Sequence, residues 1–197
     1  MSRDDDGRGT DRLIGRAAII ARVSDLLDAR RNVLLFGPPG IGKSAIVKSV
    51  ARPDLVVVDP FERVSRQLAA RLRRVMEADR IVLAVGRSAQ ASDLGAVRRV
   101  LWRMEAVRIE PLNARDIRTL LRVELTRGGV ADTAVLNSWL SAAVKVVDGV
   151  PGRAVAVAHA AAMRWRVDRA LLPPRLALVV AWQDGLSDAD HVRLQGP

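Results

Sequence analysis

One eight-residue segment, Gly37-Pro38-Pro39-Gly40-Ile41-Gly42-Lys43-Ser44, leaves this chain few folds to choose from. It satisfies G-x-x-x-x-G-K-[ST] without a gap and sits between an apolar run, Asn32 to Phe36 (NVLLF), and a helically spaced segment, Lys43 to Ala51. A short, continuously apolar run that stops at Gly-Pro reads as a buried parallel strand. The glycines let successive backbone N–H groups turn toward a polyphosphate, and the following helix aims the positive end of its dipole at the same point. Lys43 then reaches the β and γ phosphates and Ser44 offers a hydroxyl to Mg²⁺. The segment, with Ala45 as its last member, predicts a site for ATP and Mg²⁺.

Two further strands are expected. Leu55 to Val58 (LVVV) is β-branched and closes on Asp59-Pro60, and Ile81 to Val85 (IVLAV) closes on Gly86. An acid at the end of a neighbouring strand is the second metal anchor of a P-loop protein, and Asp59 fits that role. The alternative is the simpler role of opening the Asp-Pro turn and capping the next helix. ATP-hydrolysing relatives of such folds often place a glutamate directly after this acid, where Pro60 stands here. Glu62 is the nearest carboxylate; it acts either as a base redirected by the turn or as a first-turn acid on a helix dipole. Arg87, just after the third strand, lies at the sheet edge where open α/β folds bind ligands. It is a candidate for the γ phosphate, or an ordinary surface arginine at the start of a loop.

Helices are predicted over 13–30, 61–78 and 94–104, with a short last strand at Val107 to Ile109. Beyond Pro111 the pattern is helical alone, over 114–126, 133–147, 152–170 and about 174–184, broken at Gly128-Gly129 and Gly149-Val150-Pro151-Gly152. Strands alternating with helices, then helices only, predict an α/β fold: a short parallel sheet flanked by helices, followed by a small all-helical lid. The expected boundaries are a tail at 1–11, the nucleotide-binding layer at 12–112, the lid at 113–170, and a C-terminal helix and tail at 171–197.

The chain has 197 residues, 49% apolar and 27% charged, which suits one globular domain with a small appendage. With no cysteine, a thiol nucleophile, a disulfide scaffold and a Cys-ligated metal are excluded. Met1 to Thr10 lacks the apolar stretch of a secretory signal, and the run Leu176 to Trp182 is far shorter than the roughly 20 residues of a membrane span. A cytoplasmic protein with no membrane partner is the expectation.

These motifs, in their order, resemble the AAA+ superclass, and especially its STAND-like signalling branch in a minimal form. The carrying residues are Leu13-Ile14-Gly15-Arg16, Phe36 to Ser44, Val56-Val57-Val58-Asp59, Val85-Gly86-Arg87-Ser88, Ile109-Glu110-Pro111-Leu112 and Gly149-Val150-Pro151-Gly152-Arg153. The resemblance implies that Gly15 and Arg16 lie near the adenine and that Arg87 is a sensor arginine. It further implies that the segment at Pro151 packs on the nucleotide with Arg153 as a second sensor. Such families complete their site with an arginine supplied in trans by a neighbouring subunit, for which Arg98, Arg99 and Arg103 are the candidates. The spacing departs from the family pattern, because only 16 residues separate Lys43 from Asp59. Either a strand–helix unit is missing, or the strand ending at Asp59 is a different one.

Net charge is +10, and the basic residues are arginines except Lys43, Lys48 and Lys145. The stretch from Phe61 to Arg108 is strongly basic; its acids are Glu62, Glu77, Asp79, Asp93 and Glu105. A basic face of this kind attracts phosphate backbones in a salt-sensitive way, so DNA is a candidate partner beside a protein. Stacking groups are few. Trp102-Arg103 and Trp165-Arg166 are the available ones, and tryptophans at helical spacing more often pack helices. Two functions follow: a Mg-ATP switch with slow hydrolysis, or a non-hydrolysing ATP-bound module that docks on DNA or a protein through its arginine-rich face.

Overall fold

Period-2 alternation in the strands decides how the α/β layer is built. In the computed structural model, which describes residues 13–61, 64–90, 96, 98–130 and 134–181, four strands form one parallel sheet. They are β1 (Asn32–Phe36), β2 (Leu55–Val58), β3 (Ile81–Gly86) and β4 (Met104–Arg108), in the order β2-β3-β1-β4. β1 is central, pairing Val33 with Leu83 on one side and with Glu105 on the other. Its odd residues Val33 and Leu35 join Ile81 and Leu83 beneath α1 (Ala17–Asp28) and α2 (Lys43–Val50). Its even residue Leu34 joins Val82 and Ala84 on the opposite face, beneath α3 (Arg66–Glu77) and α4 (Arg98–Leu101). Both faces are covered, which is why β1 and β3 read as unbroken apolar runs.

The spacing of only 16 residues between Lys43 and Asp59 is filled by α2 and β2 alone. β2 pairs with β3, not with β1, so Asp59 emerges one strand away from the strand that carries the phosphate loop.

Three elements differ in extent from those expected. The predicted helix at 94–104 is reduced to α4, four residues long, and its first part falls outside the described residues. Met104 to Arg108 instead form β4, longer than the expected strand at 107–109; Met104 and Val107 are buried on opposite faces of the sheet, Glu105 is half-buried and Ala106 exposed. The Met-Glu-Ala run favours helix in isolation, but pairing along β1 outweighs a propensity difference of a few tenths of a kcal/mol per residue. The predicted helix at 61–78 begins only at Arg66, because Ser65 caps it by accepting from the Leu68 N–H at 3.2 Å.

The lid comprises α5 (Ala114–Arg127), α6 (Ala134–Val147) and α7 (Pro151–Asp168), packed around their own core. Ile117, Leu121 and Leu125 line one stripe of α5 and meet Leu140, Ala143 and Val147 of α6 and Ala154, Val157, Ala158 and Ala161 of α7. The helical residues 174–181 add Ala177 to this core, and the Trp139 Nε1–H donates to the Leu172 carbonyl at 2.7 Å. No helix among the described residues is long and apolar enough to cross a membrane.

Candidate functional site

The phosphate loop leaves β1 at Phe36 and enters α2 at Lys43. Gly42 caps that helix with φ +100°, a left-handed conformation that a side chain would strain. The Lys43 ammonium donates to the Gly37 and Pro38 carbonyls at 2.7 and 2.9 Å, which holds the loop curled over the helix end. Asn113 and Asp116 close the first turn of α5 in the same region: the Asn113 side chain accepts from the Asp116 N–H at 2.9 Å.

Two clefts meet at Lys43. The larger, about 660 Å³, lies between the α/β layer and the lid. Its layer side carries Leu13, Ile14, Arg16, Gly40, Gly42, Lys43, Ser44 and Ala45, and its lid side includes Leu120, Val123, Pro151 and Val155. The smaller, about 460 Å³, is walled by Pro39, Lys43, Asp59, Pro60, Val85, Gly86 and Arg87. Residues 16 to 44 positions apart in the chain, Lys43, Asp59 and Arg87, are thus brought to a single depression at the C-terminal edge of the sheet. Glu62 lies outside the described residues.

Arg16 is 7% exposed, the one charged side chain buried among the described residues. Its guanidinium donates to the Glu110 carbonyl at 2.7 Å and to the Ile41 carbonyl at 2.8 Å. Burial pushes its pKa down from the usual arginine value, and the nearby Asp116 carboxylate opposes that shift. An arginine so placed remains a cation at neutral pH. It ties the phosphate loop at Ile41 to the crossing into the lid at Glu110 through its two terminal nitrogens; its buried Nε has no hydrogen-bond partner among the described residues, and the residue lines the larger cleft. Gly15 packs against Asp116 and Leu112, where a Cβ would come within 2.4 Å of the Asp116 carboxylate.

A second bridge joins lid and loop directly. The Gly152 N–H donates to the Gly40 carbonyl at 2.8 Å, and a Cβ on Gly152 would lie 2.9 Å from Gly40 Cα and 3.0 Å from its oxygen. Glycine-to-alanine changes inside helices ordinarily stabilise by about 1 kcal/mol. Here the neighbour is backbone and cannot swing aside, so Gly152→Ala should instead cost about 1–3 kcal/mol by overpacking. The expected result is a melting temperature lower by roughly 2–12 °C. A melting temperature that rose would sink this reading of the contact.

Of the other candidates, Pro151 is on the cleft wall, whereas Arg153 is exposed and outside both clefts. Arg98 is exposed on α4, Arg103 stacks on Trp102 at 4.8 Å, and the Arg99 side chain lies outside the described residues. Sequence reasoning missed the cleft face of α5: Thr119, Leu120, Val123, Glu124 and Arg127. The signal was available, since Leu120 and Val123 are apolar but lie off the Ile117–Leu121–Leu125 stripe that fills the core. Glu124 and Arg127 form an ion pair at 2.8 Å on that wall.

The donor chemistry suits a metal carried by a polyphosphate. The Ser44 hydroxyl and Asp59 carboxylate are hard oxygen ligands, as Mg²⁺ requires, and no cluster of three or more His, Asp or Glu among the described residues could hold a metal unaided. The apolar walls of the larger cleft suit a flat heterocycle, and the loop N–H groups and Lys43 suit phosphates.

No protein-family model and no curated relative matches the sequence. Solved structures do match. RuvB of Thermotoga maritima, described as a Holliday junction branch migration motor, superposes with a TM-score of 0.61 at 14% identity, over 85% of this chain and 68% of that one. The FIGL-1 AAA domain, solved with ADP, gives 0.62 at 16% identity over 94% and 89%. Aeropyrum pernix ORC1, solved with DNA, gives 0.61 at 16% identity over 87% and 65%. The chain therefore has the α/β fold of AAA+ P-loop ATPase domains, a four-stranded parallel sheet flanked by helices.

Proposed function

We propose that this chain binds Mg-ATP between its α/β layer and its helical lid, hydrolyses it slowly, and acts as a nucleotide-dependent switch of STAND-like type. The observation that carries this reading is the convergence of Lys43, Asp59 and Arg87 on one cleft that opens at Lys43 into the lid-covered one. In it the base lies against Leu13, Ile14, Leu120 and Val123. The loop N–H groups and Lys43 hold the phosphates, Ser44 and Asp59 hold the metal, and Arg87 faces the γ phosphate. Bound Mg²⁺ supplies charge neutralisation on the β and γ oxygens.

Slow turnover follows from Pro60. The position after Asp59 carries no carboxylate to polarise water, and the barrier is lowered mainly by positioning and electrostatics. Gly152 on Gly40, and Arg16 between Ile41 and Glu110, give the lid a direct mechanical connection to the phosphate loop. Nucleotide occupancy can thereby bias lid position.

The reading is tested by measuring the affinity for a fluorescent ATP analogue, and ATP turnover, with and without double-stranded DNA. We expect saturable Mg-dependent binding and turnover well below the usual 1 s⁻¹ floor of enzymes. Absence of nucleotide binding would overturn the assignment, and turnover as fast as a motor's would overturn the slow switch.

The second reading, an ATP-bound module that hydrolyses nothing and docks through its arginine-rich face, is favoured by Pro60 together with the exposed arginines Arg66, Arg71, Arg73 and Arg74 of α3 and Arg98 of α4. Two structural neighbours, a Holliday junction branch migration motor and an ORC1 solved in complex with DNA, support DNA as the partner class. Binding of ATP with no turnover under any condition is the result that would select it.

A further inference from the structure

On the sheet face opposite the phosphate loop helix, α3 and α4 lie side by side and leave a groove of about 610 Å³ between them. Its floor is small and apolar, Ala69, Ala70, Ala96 and Val100, and its described charged residues are Arg66, Arg73 and Arg98, with no acid. Arg66 and Arg98 make no ion pair or side-chain hydrogen bond among the described residues. Arg66 and Arg73 stand two helical turns apart on α3, about 10 Å along its axis. Among the described residues the acid near this groove is Glu77, and it is already shared: its Oε1 lies 3.5 Å from the Arg73 Nε and 3.5 Å from an Arg103 guanidinium nitrogen. Arg103 in turn lies over the Trp102 ring at 4.8 Å, and Trp102 is 75% exposed, the largest exposed ring among the described residues.

A continuous path, Arg73–Glu77–Arg103–Trp102, therefore joins the arginine-lined groove to an exposed indole just past the end of α4. Guanidinium forks match phosphate oxygens, and an exposed indole is a platform for a base with an unpaired face. We propose that this groove binds single-stranded nucleic acid, with the phosphate backbone on Arg66, Arg73 and Arg98 and a base stacked on Trp102. An acidic peptide would use the arginines but leave the indole without a function. A duplex would keep its bases stacked internally and out of reach of the ring. The inference rests on the arginine-rich face as a polyanion surface, and it does not depend on the nucleotide cleft.

The test is fluorescence anisotropy of a labelled oligothymidylate of about 20 nucleotides, titrated with full-length protein between about 50 and 200 mM salt. The variants are Arg66→Gln/Arg73→Gln, Trp102→Ala and Lys43→Ala, with circular dichroism confirming their fold and an ATP analogue titrated in parallel. The arginine pair should weaken binding about tenfold and lower the slope of log affinity against log salt by about 0.7 for each arginine. Trp102→Ala should weaken binding about tenfold with that slope unchanged. Both should retain ATP affinity, and Lys43→Ala should lose ATP while keeping the oligonucleotide.

The proposal is overturned if the wild-type protein does not bind the oligonucleotide, or if the variants bind as it does. It is overturned too if a duplex binds as tightly, or if polyglutamate displaces the probe as readily as unlabelled oligonucleotide. Loss of ATP binding in the wild type with oligonucleotide binding intact would sink the nucleotide assignment and leave this one standing.

Discussion

Lys43→Ala should lower affinity for ATP by two to three orders of magnitude and abolish turnover, while the protein stays folded. Lys43 Nζ reaches back to the Gly37 and Pro38 carbonyls at 2.7 and 2.9 Å, so the ammonium sits at the mouth of the loop, where both clefts meet. Removing one partner of a hydrogen-bonded charge pair in a desolvated site costs about 2–5 kcal/mol. At about 1.4 kcal/mol per factor of ten, that corresponds to roughly thirty- to several-thousandfold in affinity. The effect on folding is smaller, because Lys43 is only half-buried and, of the two carbonyls it leaves, that of Pro38 is exposed to water while that of Gly37 is only partly buried. Isothermal titration with Mg-ATP and a thermal melt separate the two effects. An affinity within threefold of wild type would mean that nucleotide is not held at this loop.

Asp59 should behave differently. As a metal anchor it touches the ligand only through Mg²⁺, so Asp59→Asn should weaken Mg-dependent binding and leave Mg-free binding of the nucleotide nearly unchanged. Equal losses with and without Mg²⁺ would return Asp59 to its simpler role at the Asp-Pro turn.

What could be read directly from sequence was whatever the chain holds contiguously. The phosphate loop needs eight consecutive residues, and the strand ends at Asp59 and Gly86 are punctuated by Pro60 and glycine, so Lys43, Asp59 and Arg87 could be placed on one sheet edge without coordinates. The opposite wall of the cleft could not. Thr119, Leu120 and Val123 belong to a helix whose stronger apolar stripe, Ile117–Leu121–Leu125, dominates the periodicity, and which of two faces meets the nucleotide layer is decided by packing of α5 on α7. Met104 falls in the expected helix and Glu105 and Ala106 in neither element, because Met-Glu-Ala favours helix locally and only the neighbouring β1 makes the extended form worthwhile. Arg16 illustrates a third kind of gap. Its position could be foreseen near the site, but its role depends on carbonyls 25 and 94 residues away, which no local pattern encodes.

Arg16→Met accordingly tests the part of the site that sequence could not supply. Methionine retains an apolar stem of similar reach and removes every donor, leaving the Ile41 carbonyl, which is buried, and the Glu110 carbonyl, which is partly so, without their partner. An orphaned buried acceptor costs about 1–3 kcal/mol. Against this stands a gain: burial lowers the Arg16 pKa, which means that holding the charged guanidinium in the interior is itself unfavourable, and methionine removes that penalty. Asp116 is not stranded by the change, because Asn113 Nδ2 already donates to its Oδ2 at 2.8 Å. The balance falls on the side of loss, about 2–3 kcal/mol, since two carbonyls are abandoned and the acid that would have repaid the charge is otherwise satisfied. For a chain of this length that is a drop in Tm of roughly 4–12 °C. Because Ile41 lies within the phosphate loop, ATP affinity should fall in the same variant, and saturating Mg-ATP should restore only part of the lost Tm. A variant as stable as wild type would mean that the packed thioether compensates for the carbonyls, and that Arg16 is held there for a reason other than bracing the loop against the lid.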